Sequence, residues 1–178
     1  MRKYEVPVLA GRHVRLEPLG FEHAGALLAA ANEARATYGL TYVPSSETGM
    51  EAYIVAALAE REDGRSLPFV VRDRVGAVVG STRFMEIEHW QWLGVPPPAP
   101  LPEGPDAVEI GFTWYAERVQ RTAVNTEAKL LLCTHAFERW KVRPGSDGQV
   151  RSTAFFSMLA GEWPEARRGL IERLERGR

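Results

Sequence analysis

The sequence predicts a mixed α+β domain, and three observations lead to that prediction. The segment His13–Leu19 alternates apolar and polar residues as a half-buried strand does. Two more strand-like segments, Leu67–Arg72 and Val78–Ile87, are separated by a turn and predict an antiparallel hairpin. A strand over Ala107–Tyr115 leads into a helix from about Val124 to Trp140. Strands and helices mixed in this order along one chain are typical of an α+β fold.

Two helices are expected between the first strand and the hairpin. Phe21–Ala34 is rich in alanine and leucine, which favour helix. In the second helix, apolar residues recur at helical spacing over Met50–Leu58. Ser45 or Ser46 can cap the start of this helix, and Gly64 can end it.

The strand Ala107–Tyr115 is expected to alternate regularly, because successive side chains point to opposite faces. One face would carry Val108, Ile110, Phe112 and Trp114, and the other Glu109, Gly111, Thr113 and Tyr115. The following helix is apolar nearly all round, which predicts deep burial. A last strand, Val150–Leu159, and a charged terminal helix, Trp163–Arg176, complete the expected domain.

Length and composition bound the class of protein. The 178 residues suit a single domain spanning 1–178, and 45% apolar with 25% charged residues is an ordinary globular balance. The net charge of -1 favours neither nucleic acid nor an anionic membrane as a partner. Cys133 is the one cysteine, and no apolar run approaches a membrane span or a secretory signal. We therefore expect a cytoplasmic protein.

The junction between the strand Ala107–Tyr115 and the next helix is the first candidate functional site. A helix start has unpaired N–H groups and a partial positive charge, which suit an anion such as a pyrophosphate. Such junctions occur in every α/β protein, so this feature alone supports only an unspecified anion.

The amino-acid sequence of this junction indicates a particular ligand more specifically than the position of the junction does. EIGFTW (109–114) followed by QRTAVNTEAK (120–129) resembles the acyl-CoA-binding segment of the GNAT N-acetyltransferases, in particular the RimJ/RimL-like branch. That superfamily has Gln/Arg-x-x-Gly-x-Gly/Ala, often followed by Thr-Glu-Ala. Here Gln120 fills the first position, and Ala123 and Asn125 replace the two glycines. The resemblance extends to GRHVRLEPL, LPFVVRD with VVGSTRF, and RSTAFFSMLAGEWP, and so covers most of the chain.

The resemblance implies a fold, a co-substrate and an activity. The fold would be a mainly antiparallel central sheet with helices on both faces. Acetyl-CoA would donate its acetyl group to a primary amine, either a protein N-terminal α-amine or a small-molecule amine, by direct attack without a covalent enzyme intermediate. The residues implied in cofactor binding are Phe112, Thr113 and Trp114 beside the pantetheine, and Gln120, Arg121, Thr122, Ala123, Val124 and Asn125 around the pyrophosphate.

The resemblance also suggests two catalytic residues. Glu109 lies on the strand where the superfamily usually carries its general base. The alternative for Glu109 is a solvated or ion-paired strand glutamate. Ser157 would protonate or orient the departing thiolate, and its alternative is a hydroxyl hydrogen-bonded to the sheet backbone.

Other reactive residues have simpler interpretations. His135 is interpreted as a packed helix histidine rather than a base, and Cys133 as a small buried hydrophobe. No group of His, Cys and Asp has metal-ligand spacing, so no metal is predicted. The group Arg35, Tyr38 and Tyr42 falls where the superfamily often shapes its acceptor site.

A proline-rich segment, His89–Pro105, is expected to form an irregular loop. For Trp90 and Trp92 in this loop three roles stay open: to wall the acceptor pocket, to cover a partner subunit, or to pack on the protein's own surface.

One departure from the superfamily pattern follows Val142. Roughly thirty to forty residues, enough for one βα unit, are absent before the final strand. Either the unit is truly lost or the sequence is incomplete there. A real loss would expose a sheet edge that a homodimer partner would cover. It also motivates an alternative function, a catalytically impaired acyl-CoA-binding or interaction protein.

Overall fold

In the part of the chain that the structure describes, five strands form a single antiparallel sheet in the order β1-β2-β3-β4-β5. A computed structural model describes residues 4–39, 41–89, 104–142 and 158–176. The strands are β1 (Leu9–Ala10), β2 (Val14–Pro18), β3 (Leu67–Asp73), β4 (Val78–Glu88) and β5 (Ala107–Tyr115). The α-helices are α1 (Ala24–Ala31), α2 (Glu47–Glu62), α3 (Ala123–Thr134) and α4 (Trp163–Arg176). The predicted mixed α+β fold is confirmed.

Helices cover both faces of the sheet, as expected. Helices α1 and α2 pack on one face around Leu27 and Ile54, and α3 packs on the other face around Leu132. Burial of each such side chain stabilises the fold by about 1.5–3 kcal/mol. Helix α4 packs on α3, where the rings of Phe137 and Trp163 stack with centroids 5.4 Å apart. Within the described residues, no helix is long and apolar enough to cross a membrane.

The ends of the first two helices show where local sequence signals were sufficient to predict a helix boundary. Residues Phe21–His23 form a 3-10 turn before α1, which stops at Ala31 rather than at Ala34. Helix α2 starts after Ser46, whose hydroxyl accepts a hydrogen bond from the Gly49 N–H at 3.1 Å. Gly64 follows with a φ of 70°, a conformation that favours glycine. The predicted cap and stop of α2 are confirmed.

Helix α3 differs from its prediction in geometry and burial. The helix changes at His135–Trp140 to a π-helical turn, which ends at Lys141 in the left-handed conformation. The expected deep burial all round is wrong. Leu132 and Ala136 are buried, whereas Leu130, Leu131, Cys133 and Phe137 are half-buried.

The predicted regular alternation of β5 is also wrong. Ile110 packs in the core under α3, but Trp114 packs in the core under α1 and α2. The cause is a bulge, since the pairing with β4 jumps from Arg83–Gly111 to Ser81–Trp114. An extra residue in one strand reverses the faces of all residues that follow it.

Several predictions fall on residues outside the described part of the chain. They concern the loop tryptophans Trp90 and Trp92, the missing unit after Val142, Ser157, and most of the predicted strand Val150–Leu159.

Candidate active site

The start of α3 is built by local hydrogen bonds. Thr122 is its N-cap, and its hydroxyl accepts from the Val124 N–H at 3.3 Å and donates to the Val119 carbonyl at 2.7 Å. Arg121, with a φ of 59°, turns the chain from β5 into the helix. The first turn of α3 thus follows soon after the C-terminal end of β5 in the chain and has the unpaired N–H groups of a helix start. This arrangement suits a phosphate group.

Gln120 fixes the junction through its side chain. Its amide nitrogen donates to the Tyr115 carbonyl at 2.9 Å and to the Thr37 hydroxyl at 3.1 Å. The hydroxyl of Tyr38 donates to the same Tyr115 carbonyl at 3.2 Å. Gln120 thus ties the helix start to the segment between α1 and α2.

The other two residues of the expected acceptor group, Arg35 and Tyr42, have different surroundings. Arg35 donates to the carbonyls of Val43 at 2.6 Å and Pro44 at 3.0 Å, so it holds the loop before α2. Tyr42 is exposed to solvent. The guanidinium carbon of Arg35 also lies 5.4 Å from the centroid of the Tyr38 ring, so these two residues are neighbours.

The bulge of β5 is the second part of the site. Among the described strands, β5 lies at the edge of the sheet. A Cβ on Gly111 would lie 2.3 Å from the sulfur of Met85, so only glycine fits without a shift. Phe112 has a φ of 48°, a conformation that few non-glycine residues adopt. The bulge interrupts the pairing with β4 and leaves backbone groups available at this edge.

A polar cluster supports the bulge from the α3 side. The hydroxyl of Thr113 lies 2.8 Å from the hydroxyl of Thr82 and accepts from the Lys129 ammonium at 3.2 Å. Burial lowers the pKa of Lys129, although the neighbouring Cys133 thiol acts in the opposite direction. Burial also raises the pKa of Cys133. A thiol held neutral in this way is a poor nucleophile, in agreement with its interpretation as a small hydrophobe.

His135 also agrees with its structural interpretation. Burial, and then the charge of Arg139, lower the pKa of His135. Its ring packs against Trp140 with centroids 4.7 Å apart. Together these features describe a neutral, packed histidine.

Glu109 is brought beside the bulge, on the face that α2 covers. It pairs with Met85 across the sheet, and its Oε1 lies 3.3 Å from the position of a Cβ on Gly111. The side chain is half-buried and forms no hydrogen bond or ion pair with another described residue. Both of its carboxylate oxygens therefore keep their capacity to accept hydrogen bonds at this position. Ser157, its expected partner, lies outside the described residues.

Glu127 is a structural residue of the site that the sequence analysis missed. Its carboxylate is 7% exposed and accepts from three backbone N–H groups: Arg12 at 2.9 Å, His13 at 2.5 Å and Val14 at 2.9 Å. Glu127 thereby joins the second turn of α3 to the turn between β1 and β2. The Thr-Glu-Ala sequence does not indicate which distant amides the glutamate binds.

Arg83 is a second missed residue, and it lies opposite the bulge. Its side chain is 2% exposed and donates through Nη1 to Glu60 Oε2 at 2.8 Å. Its guanidinium carbon lies 4.0 Å from the centroid of the Phe112 ring and 5.2 Å from that of Tyr53. Its Nε has no hydrogen-bond partner among the described residues.

Comparison with known proteins supplies a family and a fold. Residues 13–152 match the model of the acetyltransferase (GNAT) domain. A GCN5-related N-acetyltransferase from Brucella melitensis superposes with a TM-score of 0.70 and 22% identity, over 97% of this chain and 87% of that one. No curated protein matches the sequence.

Two proteins solved with a CoA species share the fold at lower coverage. RimL, a ribosomal L7/L12 alpha-N-protein acetyltransferase solved with coenzyme A, has a TM-score of 0.59 and 16% identity over 77% of this chain and 71% of that one. RimJ from Mycobacterium smegmatis, solved with a CoA-disulfide, has a TM-score of 0.59 and 20% identity over 80% and 71%. At these identities the similarity shows the fold alone. In the described residues, no group of three or more His, Cys, Asp or Glu could hold a metal ion.

Proposed function

Because the chain belongs to the GNAT acetyltransferase family and is thus an acyltransferase, we propose that it moves an acetyl group from acetyl-CoA to a primary amine. The observation that carries this proposal is the succession of three features along β5 and into α3. They are the bulge of β5, the N-terminus of α3, and the half-buried carboxylate of Glu109. Each would be weak support by itself.

The residues present fit acetyl-CoA. The backbone of Arg121, Thr122, Ala123, Val124 and Asn125 would hold the pyrophosphate, because it leads into a helix start that offers unpaired donors. Asparagine and alanine at the family's glycine positions lie in the first turn of α3 and keep their N–H groups. The backbone of Phe112, Thr113 and Trp114, at the sheet edge, would hold the pantetheine. Acetyl-CoA supplies the acetyl group as a thioester.

The chain's own residues then have distinct tasks. An amine must be neutral to attack, and Glu109 would accept its proton directly or through one water. A backbone N–H at the bulge would polarise the acyl carbonyl, in the manner of an oxyanion hole. Ser157 would protonate or orient the departing thiolate, a role that rests on the resemblance of RSTAFFSML to the family's last strand.

The acceptor is an amine of one of two kinds. RimL, by its name, acts on a protein α-amine, which makes a peptide N-terminus the first acceptor to test. Small-molecule amines form the second group. We also propose a homodimer, from the departure after Val142, and a cytoplasmic site of action, from the single cysteine.

A thiol-release assay over a panel of peptides and small amines tests the activity, with calorimetry of acetyl-CoA binding alongside. Glu109→Gln should lower kcat/KM by about 100-fold or more, while the affinity for acetyl-CoA stays within about threefold. Glu165→Gln, on the exposed surface of α4, is the matched control and should behave as the native protein. If kcat/KM of the Glu109 variant is unchanged at every pH, Glu109 is not the base.

The alternative is a catalytically impaired acyl-CoA-binding or interaction protein. The departure after Val142 favours it, since one wall of the cleft would be missing. Tight binding of acetyl-CoA without thiol release for any amine would support this alternative. No binding at all would exclude both functions.

A further inference from the structure

We propose that Arg83 is a positioning residue for acetyl transfer: it holds the ring of Phe112 and thereby keeps the bulge of β5 in the shape that presents its backbone to the acyl group. The inference rests on the proposed function, because the shape of the bulge matters to catalysis only if the acyl group docks there. Arg83 would act on the acyl site through the ring of Phe112.

Arg83 contacts Phe112 in the bulge and two residues of α2. Its guanidinium lies over the Phe112 ring at 4.0 Å from the centroid, within the range of a cation–π contact. The ring centroid of Tyr53, on α2, lies 5.2 Å from the same guanidinium carbon. Glu60, also on α2, fixes the guanidinium through the 2.8 Å ion pair. Helix α2 therefore holds Arg83 in one orientation against the bulge.

Phe112 needs such support because of its backbone conformation. A positive φ of 48° is unfavourable for a residue with a Cβ, and it persists only where the surroundings impose it. The phenyl ring is 39% exposed, so burial in a core does not hold it. Among the described residues, the ring contacts Arg83 and Tyr53, and the ring centroids of Phe112 and Tyr53 are 6.5 Å apart.

The two faces of the bulge are supported in different ways. On the α3 side, Thr113 is held by Thr82 and Lys129. On the α2 side, Met85 fills the space where a side chain on residue 111 would lie. Arg83 and Tyr53 both lie against the ring of Phe112, the residue whose φ is positive, and Arg83 is the nearer of the two, with its guanidinium carbon 4.0 Å from the ring centroid. Loss of Arg83 should therefore release Phe112 while the rest of the sheet stays in place.

Stability alone does not account for this arginine. Burying a guanidinium is costly, and its Nε has no hydrogen-bond partner among the described residues. An apolar side chain of similar volume would fill the same space without that cost. Glu60 is 29% exposed, so its carboxylate would regain water if the arginine were replaced. The charged, planar group is better explained by its contact with Phe112.

Four variants test the proposal in the full chain: Arg83→Met, Arg83→Lys, Phe112→Gly, and Arg83→Met combined with Phe112→Gly. The Arg83→Met variant should lower kcat by about tenfold or more, as misplacement of reacting groups does, with the Kd of acetyl-CoA changed less than about threefold. Arg83→Lys keeps the charge for Glu60 but lacks the planar face, so kcat should fall here as well.

The double variant gives the result that a merely structural role would not produce. Glycine adopts a positive φ without a Cβ penalty, so Phe112→Gly removes the need for the support. Combined with Arg83→Met, it should raise kcat about fivefold or more above Arg83→Met alone. Arg72→Met is the matched control, because it breaks the 2.7 Å Arg72–Glu17 pair on the same sheet away from the bulge. Its kcat should stay within about twofold of the native value.

Two results would overturn the proposal. One is native kcat in Arg83→Met and Arg83→Lys, and the other is a double variant no more active than Arg83→Met. Amide hydrogen exchange over residues 111–114 separates this proposal from the proposed function, because it needs no turnover. If the native protein acetylates no amine, the proposed function fails. Faster exchange in Arg83→Met would then still support the positioning role, and unchanged exchange would refute it.

Discussion

Replacement of Glu127 by glutamine should loosen the attachment of α3 to the N-terminal hairpin. The carboxylate accepts from the backbone N–H groups of Arg12, His13 and Val14, and both of its oxygens take part. Glutamine keeps one oxygen, but it puts an NH2 group where the other oxygen was. That NH2 group would face at least one N–H donor, so two donors would oppose each other in a buried place.

The magnitude follows from these three bonds. A hydrogen bond to a charged group contributes about 1.5–3 kcal/mol, and a buried donor left without a partner costs about 1–3 kcal/mol. Glutamine retains part of the interaction and the contributions are not additive. We therefore expect a loss of about 2–4 kcal/mol in the free energy of unfolding. For a domain of this size, a loss near 3 kcal/mol lowers Tm by about 6–12 °C.

Urea denaturation measures this loss, provided that the slope m is unchanged between the variants. Glu51→Gln, on the exposed face of α2, is the matched control and should change stability by less than about 0.5 kcal/mol. A loss below about 1 kcal/mol for Glu127→Gln would refute the reasoning, because such a value is typical of one ordinary hydrogen bond.

Three further predictions concern stability. Gly80→Ala places a Cβ 2.1 Å from the backbone oxygen of Trp114, so it should cost about 2–3 kcal/mol in urea unfolding. Ser46→Ala removes the cap of α2 and should cost about 1 kcal/mol by the same measurement. Burial lowers the pKa of Lys129, so the folded state binds this proton less tightly than the unfolded state, and stability should rise as pH rises through the folded pKa. Lys129→Met should therefore raise Tm at neutral pH and lose that advantage near the ordinary lysine pKa of about 10.4. A constant advantage at all pH values would contradict this explanation.

Much of the fold follows from short-range patterns. The alternation of β2, the turn between β3 and β4, and the cap and glycine stop of α2 all depend on residues that are close in sequence. Such signals do not depend on tertiary structure, so the sequence alone predicts each of these features. The exact end of α1 and the π-helical turn after α3 depend on packing, which local propensity does not specify.

The candidate site was less predictable, because its decisive features join distant residues. The sequence around Phe112 does not predict a positive φ at that residue. Gly111 indicates only that the backbone nearby could be irregular. Arg83 stands in a strand where an arginine suggests a solvent-facing residue, yet α2 covers it. Glu127 has the appearance of an ordinary helix glutamate. The family resemblance located the site, but these side chains could be assigned only once the sheet and helices were placed.

The link between Glu127 and the first hairpin has a consequence for the order of events as the chain is synthesised. The amide of Val14 leaves the ribosome 113 residues before the carboxylate that it will bind. Until then the turn between β1 and β2 has only water for these three amides. Contacts between residues so far apart in sequence form slowly. The turn between β1 and β2 should therefore reach its final hydrogen bonding only when α3 docks against it. A chain stalled before Glu127 would therefore expose an unfinished N-terminal edge to chaperones and proteases.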